Sequence, residues 1–238
     1  APPNQDKRSA NRPRDARKSA PQTGLRCFVR NFYTTGFTTI IGDCHAPQAG
    51  GCPRKGEHSV SVLDRCEKFL EEVQNHLRDE LLPFWLTRGV DKEFGGFLTY
   101  LDRNGNPTGE TVKTHLCQTR CIYTYSSVHR AHIGQGEFLK IAKQGVDFVL
   151  DNFWDDKHGG WFWTAQQDGT PLNVSKLTYG HSFAIYALSE YGMASGDPRG
   201  TEWAVKTYEM LQTLAADNCH GGYYEFLEQD WSKKKPGK

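Results

Sequence analysis

The sequence predicts an all-α fold, part of an α/α toroid of the (α/α)6-barrel type with short β-hairpins at Gly-Gly corners. Three observations predict it. The pattern Asp, three variable residues, Gly-Gly, aromatic occurs three times: "DKEFGGF" from Asp91, "DDKHGGW" from Asp155 and "DNCHGGY" from Asp217. These aspartates stand 64 and 62 residues apart, which marks an internal repeat. Between the copies lie segments whose apolar residues recur at helical spacing.

The first helix is expected over Val60 to Leu86. Val62, Cys66, Phe69, Leu70, Val73, Leu77, Leu81 and Leu82 fall near one stripe. Pro83 kinks or ends it, and Gly89 follows. A second helix is expected over about 113–131 and a third over about 137–153. A fourth starts near Ser175, as N-cap, and reaches Met193 before "SGDPRG" breaks the chain. A fifth covers about 201–215. The turn signals "NGNP" and "DGTP" lie about eight residues beyond the first two Gly-Gly pairs, so a small hairpin follows each corner. The glycines permit backbone angles that a Cβ forbids, and the aspartate can hydrogen-bond the turn it opens.

Paired helices need neighbours to cover their apolar faces, and closing a ring takes about six such units. Five helices make an open arc. Its broken edge exposes apolar surface, which predicts marginal stability or a partner, such as a second copy of the chain.

Charge divides the chain. Residues 1–58 hold ten Lys and Arg against four Asp and Glu, and the rest hold nineteen against twenty-four. Residues 1–58 are expected to be a basic, disordered leader, 59–232 the helical domain and 233–238 a basic tail. The leader's Arg content suits an organellar transit peptide, but Asp6 and Asp15 weaken that reading. It lacks the aromatic interleaving of a nucleic-acid arm, so no nucleic-acid partner is expected. No apolar run approaches the ~20 residues of a membrane span.

The seven cysteines are odd in number and form no disulfide framework, which reads as a reducing compartment, the cytoplasm. Cys44, His45, Cys52 and His58 lack the close-paired spacing of a zinc site. Cys117 and Cys121 are expected to fill the core as small hydrophobes.

Four stretches carry a family resemblance: "LLPFWLTRGVDKEFGGFLTYLDRNG", "KTHLCQTRCIYTYSSVHR", "FWDDKHGGWFWTAQQDGTP" and "KLTYGHSFAIYALSEYGMASGD". Together, in this order and spacing, they resemble the N-acylglucosamine 2-epimerase superfamily, which includes cellobiose 2-epimerases and mannose isomerases. The resemblance covers about residues 60–232. It implies an α6/α6 barrel and sugar chemistry at C2. The C2 proton is removed to give an enediolate and returned on the other face or at C1, with two histidines as acid and base. No metal or redox cofactor is implied.

By the same resemblance, Arg120 in "QTR" holds sugar oxygens and steadies negative charge from an inner helix. Tyr179 in "TYGHSF" enters the cavity, and His181 is a third substrate-binding candidate. Read from the residues alone, Arg120 suits a surface ion pair, Tyr179 a core filler and His181 a satisfied structural histidine. Trp85, Trp161 and Trp163 suit either core packing or a sugar face.

The sequence departs from the family at "GGYYEFLEQDWSKKKPGK". Family members continue into Asn-x-x-x-His and Gly-His-x-x-Glu segments and a late second catalytic histidine. None of these is present, so no catalytic residue is assigned. The expectation is a truncated product or incomplete gene model behind a foreign leader, inactive alone. Two other functions stay open: a non-catalytic half-ring that binds sugar or pairs with a subunit, and an α/α-toroid glycoside hydrolase. The second needs two carboxylates across a bond. Asp91, Asp155 and Asp217 recur at one repeat position, which assigns them to turns instead.

Overall fold

The computed structural model describes residues 61–133 and 136–233. The basic leader, with its Cys and His residues, and tail residues 234–238 lie outside the described residues.

Helix α1 (Val62–Asn75) opens on a reciprocal cap. Ser61 Oγ accepts the Asp64 N–H, and the Asp64 carboxylate accepts the Ser61 N–H. A π-helical segment (His76–Leu81) follows and leads directly into α2 (Leu82–Arg88). The expected break at Pro83 is therefore absorbed. Proline removes one N–H and crowds the carbonyl four residues back. Just ahead of it, the wider π turn bonds Leu82 N–H to Leu77 O, five residues back. The expected apolar stripe forms and lies bare along α1, while its end reaches the core through Leu77 and the buried Leu82. Nothing in α1 is buried, and Phe69 is 66% exposed. This is the open edge of the arc.

The remaining elements are β1 (Lys113–Thr114), α3 (His115–Arg130), α4 (Glu137–Asn152), β2 (Thr164–Ala165), β3 (Pro171–Asn173), β4 (Lys176–Leu177), α5 (Thr178–Ser195), α6 (Pro198–Met210), a second π segment (Leu211–Ala215) and β5 (Phe226–Leu227). Helix α3 packs chiefly on α5 and α4, and α5 on α6. The two central helices are thus flanked by two outer ones, the layering of an α/α toroid. The core between the layers includes Ile122, Val146, Val149, Ala184, Leu188 and Ala204. Small alanines at 184, 187 and 204 let the helices approach closely.

Two boundaries differ from expectation. Ser175 does not cap the fourth helix, because residues 176 and 177 are first drawn into β4, and α5 starts at Thr178 with Leu177 as its N-cap. Strand pairing there overrides the local cap preference. The fifth helix starts at Pro198, capped by Asp197 Oδ1, which accepts the Arg199 N–H.

The strands tie successive repeats together. Strand β1, just before α3, pairs antiparallel with β2 of the second hairpin. Strand β4, just before α5, pairs likewise with β5 after the third corner. At the hairpin tips Gly105 and Gly169 take φ of +79° and +96°. The third tip places Trp231 there, at φ +67°. Its indole is buried, stands edge-on to His181 and donates Nε1–H to His158 O at 3.1 Å.

Candidate functional site

The three corners share one backbone design. In each, the aspartate accepts the N–H groups two and three residues on: Glu93 and Phe94, Lys157 and His158, Cys219 and His220. All six glycines lie at φ between +66° and +81°. Single bridges close the corners at Val90–Phe97, Trp154–Trp161 and Ala216–Tyr223.

Two corners are sealed by a lysine from further along the chain. Lys113 Nζ lies 2.8 Å from Asp91 and also donates to Gly95 O and Gln167 O. Lys176 Nζ lies 2.8 Å from Asp155. Both pairs are buried. Burial pushes Asp91 and Asp155 up, yet the lysine and the other donors hold both carboxyls below the usual carboxylate range. Gln167 and Gln229 supply one further hydrogen bond each, at 3.1 Å. These carboxylates are spoken for, which supports their assignment to turns and leaves them unsuited to attack on a glycosidic bond.

A polar side chain from the following central helix completes each sealed corner. Gln118 Oε1 accepts the Phe97 N–H at 2.8 Å, and its Nε2 donates to Phe97 O at 2.7 Å. Sixty-three residues later, His181 Nε2 accepts the Trp161 N–H at 2.9 Å. Its Nδ1 lies 2.7 Å from Leu177 O, which fixes Nδ1 as the protonated nitrogen. Burial lowers the His181 pKa to about 4, only partly offset by the Leu177 carbonyl. His115, fully buried beside Trp161, is drawn well below the ordinary histidine value by the same desolvation and by His181.

Arg120 and Tyr179 meet on a different face. Arg120 is exposed on α3, and Tyr179 is 46% exposed in the first turn of α5. Arg120 Nη2 donates to the Tyr179 hydroxyl at 3.3 Å. The guanidinium sits 4.9 Å over the Phe183 ring, which stands edge-on to Tyr179. One turn along, Tyr123 and Tyr186 stack at 3.7 Å. The Tyr179 N–H points to Glu225 Oε1 at 3.3 Å, bringing the third hairpin to the rim. Among the described residues Arg120 has no carboxylate partner. The arrangement offers a cation, a hydroxyl and an aromatic wall to a polar ligand with one apolar face.

Of the three expected binding residues, the structure brings Arg120 and Tyr179 together. It places His181 behind them, buried, with both ring nitrogens engaged. Trp161 is a core residue whose Nε1–H donates to Thr207 Oγ1. Trp85 is 41% exposed against Phe84 on α2, and Trp163 lies half-buried beside Gly180. Cys117 and Cys121 are half-buried neighbours one helical turn apart, not full core residues. Sequence reasoning missed Phe183, Tyr123, Tyr186, Gln118 and both buried lysines. Repeat spacing carried the signal for the last three: Lys113 and Lys176, like Gln118 and His181, are 63 residues apart.

The family model of N-acylglucosamine 2-epimerase (GlcNAc 2-epimerase) matches residues 95–238. The chain belongs to this family. A cellobiose 2-epimerase of Bacteroides fragilis is 32% identical over 163 residues, 68% of this chain and 41% of that protein. A D-mannose isomerase of Marinomonas mediterranea is 25% identical over 158 residues, 66% of this chain and 39% of that protein. The solved cellobiose 2-epimerase of Spirochaeta thermophila superposes with a TM-score of 0.69 at 32% identity, covering 75% of this chain and 44% of that one. This N-acylglucosamine 2-epimerase family chain thus spans about two-fifths of the length of the curated relatives it matches. No helix among the described residues is long and apolar enough to cross a membrane.

Proposed function

We propose that this chain contributes the substrate-holding wall of a sugar 2-epimerase or aldose–ketose isomerase. The observation that carries the reading is the Arg120–Tyr179 contact, which bridges the two central helices on an exposed aromatic face. Arg120 holds sugar oxygens and steadies the oxyanion that develops as the C2 proton leaves. Tyr179 fixes the guanidinium and supplies a second polar contact. The aromatic rings meet the apolar face of the sugar.

The acid and base of the reaction are proposed to lie outside these 238 residues. His115 and His181 are buried, and both are held neutral by desolvation. A proton shuttle must reach the substrate within hydrogen-bond distance or through one water. Neither ring has that access. On this reading the chain alone holds sugar weakly and turns none over.

The test uses the purified chain with mannose, N-acetylmannosamine and cellobiose in heavy water, followed by NMR. Saturation-transfer signals that vanish in Arg120→Ala, with no loss of the C2 proton, are expected. Exchange at C2 would locate an acid–base pair within the chain and overturn the second half of the proposal. Sugar signals unchanged by Arg120→Ala would overturn the first.

A further inference from the structure

Cys117 and Cys121 stand four residues apart on α3, so their side chains lie on one face, a single turn from each other. Both are free thiols and half-buried. Cys117 sits against the first hairpin, its Sγ 3.6 Å from Leu98 O. The Cys121 thiol hydrogen-bonds to the Cys117 sulfur, the Thr99 hydroxyl does the same, and Arg120 places a positive charge beside it. Against the pull of burial, these contacts hold Cys117 below the ordinary thiol range. The shared hydrogen bond and burial push Cys121 well above that range.

Distances decide what such a pair can hold. A disulfide needs its two Cβ atoms ~3.5–4.5 Å apart. Residues four apart on a helix keep theirs ~5–6 Å apart. Closing the gap would unwind a turn of α3 in which Gln118, Thr119 and Ile122 are fully buried. A metal ion between the sulfurs removes that need. With bonds of ~2.3 Å to each, it spans sulfurs up to ~4.6 Å apart when the two bonds are collinear. Soft thiolates select univalent copper, zinc or iron–sulfur clusters. Zinc completes a tetrahedron and a cluster takes four cysteines. Among the described residues no group of three or more His, Cys, Asp or Glu is placed to supply such a set. Univalent copper is satisfied by two thiolates alone. The resulting unit carries one net negative charge, and Arg120 stands beside it to offset that charge.

We propose that Cys117 and Cys121 form a binding site for a soft, two-coordinate metal ion, univalent copper, held between their sulfurs as a bis-thiolate. Each thiol gives its proton to solvent as the ion enters. Two sulfur–copper bonds form, no electron moves and the copper stays univalent. The Thr99 hydroxyl and Arg120 then face a charged sulfur. The proposal shares Arg120 with the sugar reading but does not rest on it.

The test uses the full chain, kept anaerobic with ascorbate, and univalent copper buffered by bathocuproine disulfonate. Pulses of iodoacetamide followed by tryptic mass mapping read each thiol separately, because cleavage after Arg120 divides Cys117 from Cys121. Copper should slow alkylation of both thiols together by about tenfold or more, at a free copper level that leaves the exposed thiols of Cys66 and Cys219 reactive. Excess chelator should restore both rates. This wild-type measurement does not depend on any variant folding. Cys117→Ser should abolish the protection of Cys121, and Cys121→Ser that of Cys117, since a single thiolate lacks the second, intramolecular contact. No protection in the wild-type chain, or protection of one thiol that survives loss of the other, would overturn the proposal. Protection that persists in excess chelator would mark a disulfide and overturn it too.

Discussion

Replacing His181 with glutamine should leave the fold intact at neutral pH and remove much of its acid lability. The protein itself supplies the model for the substitution. Gln118 fills the equivalent position one repeat earlier and satisfies both the N–H and the carbonyl of Phe97. In the wild type, His181 is held neutral down to about pH 4, against an ordinary value near 6.5. The unfolded chain binds a proton in that window and the folded chain does not. Stability from this group is therefore complete above about pH 6.5 and drains away as pH falls toward 4. A separation of about 2.5 units corresponds to about 3 kcal/mol. His115 acts in the same direction and persists in the variant. Urea unfolding between pH 7 and pH 4 measures the difference. His181→Gln should match the wild type within about 1 kcal/mol at pH 7 and lose about 3 kcal/mol less by pH 4. His181→Ala should cost about 1–3 kcal/mol at pH 7, because it strands the buried Trp161 N–H, and its gap to the wild type should close as pH falls toward 4. If His181→Gln keeps the full acid sensitivity, the neutral-histidine account of this corner fails.

Asp155→Asn should destabilise by about 3–5 kcal/mol, since Lys176 is left charged and buried; Asp217→Asn should shift the melting midpoint little, and calorimetry compares them. Gly96→Ala drives a methyl into Gln118 at a positive φ and should cost about 3 kcal/mol or more in urea unfolding, whereas Gly222→Ala meets open space and should cost only the backbone term of about 1 kcal/mol. Arg120→Ala should remove sugar saturation-transfer signals while changing stability by less than about 1 kcal/mol, because the side chain is exposed.

The sequence made the repeat legible because glycine and aspartate leave local signatures that tertiary packing cannot disguise. The Gly-Gly corners, their aspartates and the helices between them lie where the pattern puts them. The first helix was legible as a helix, but periodicity records that a face is apolar and not whether anything covers it; Phe69 and Leu70 lie bare. Ser175 misled because capping preference is local, while the pull of Asp155 on Lys176 crosses 21 residues. The candidate site was half legible. Arg120 and Tyr179 were accessible through resemblance, yet nothing in the periodicity distinguishes the face of Tyr179 from the buried side that His181 occupies two residues later. Phe183 and Tyr186 join the site only once α3 and α5 are set side by side.

The reach of each seal bears on how the chain folds as it is synthesised. Asp91 is locked first by Lys113 and then by Gln167, and Asp155 by Lys176 and then by Gln229. Each corner thus waits for a side chain about 75 residues downstream, which at ~5–20 residues per second means several seconds of translation. A nascent arc would rigidify from its N-terminal end, one corner behind the newest helix pair. Its growing tip would always carry one unlocked turn, the state in which the third corner stands here.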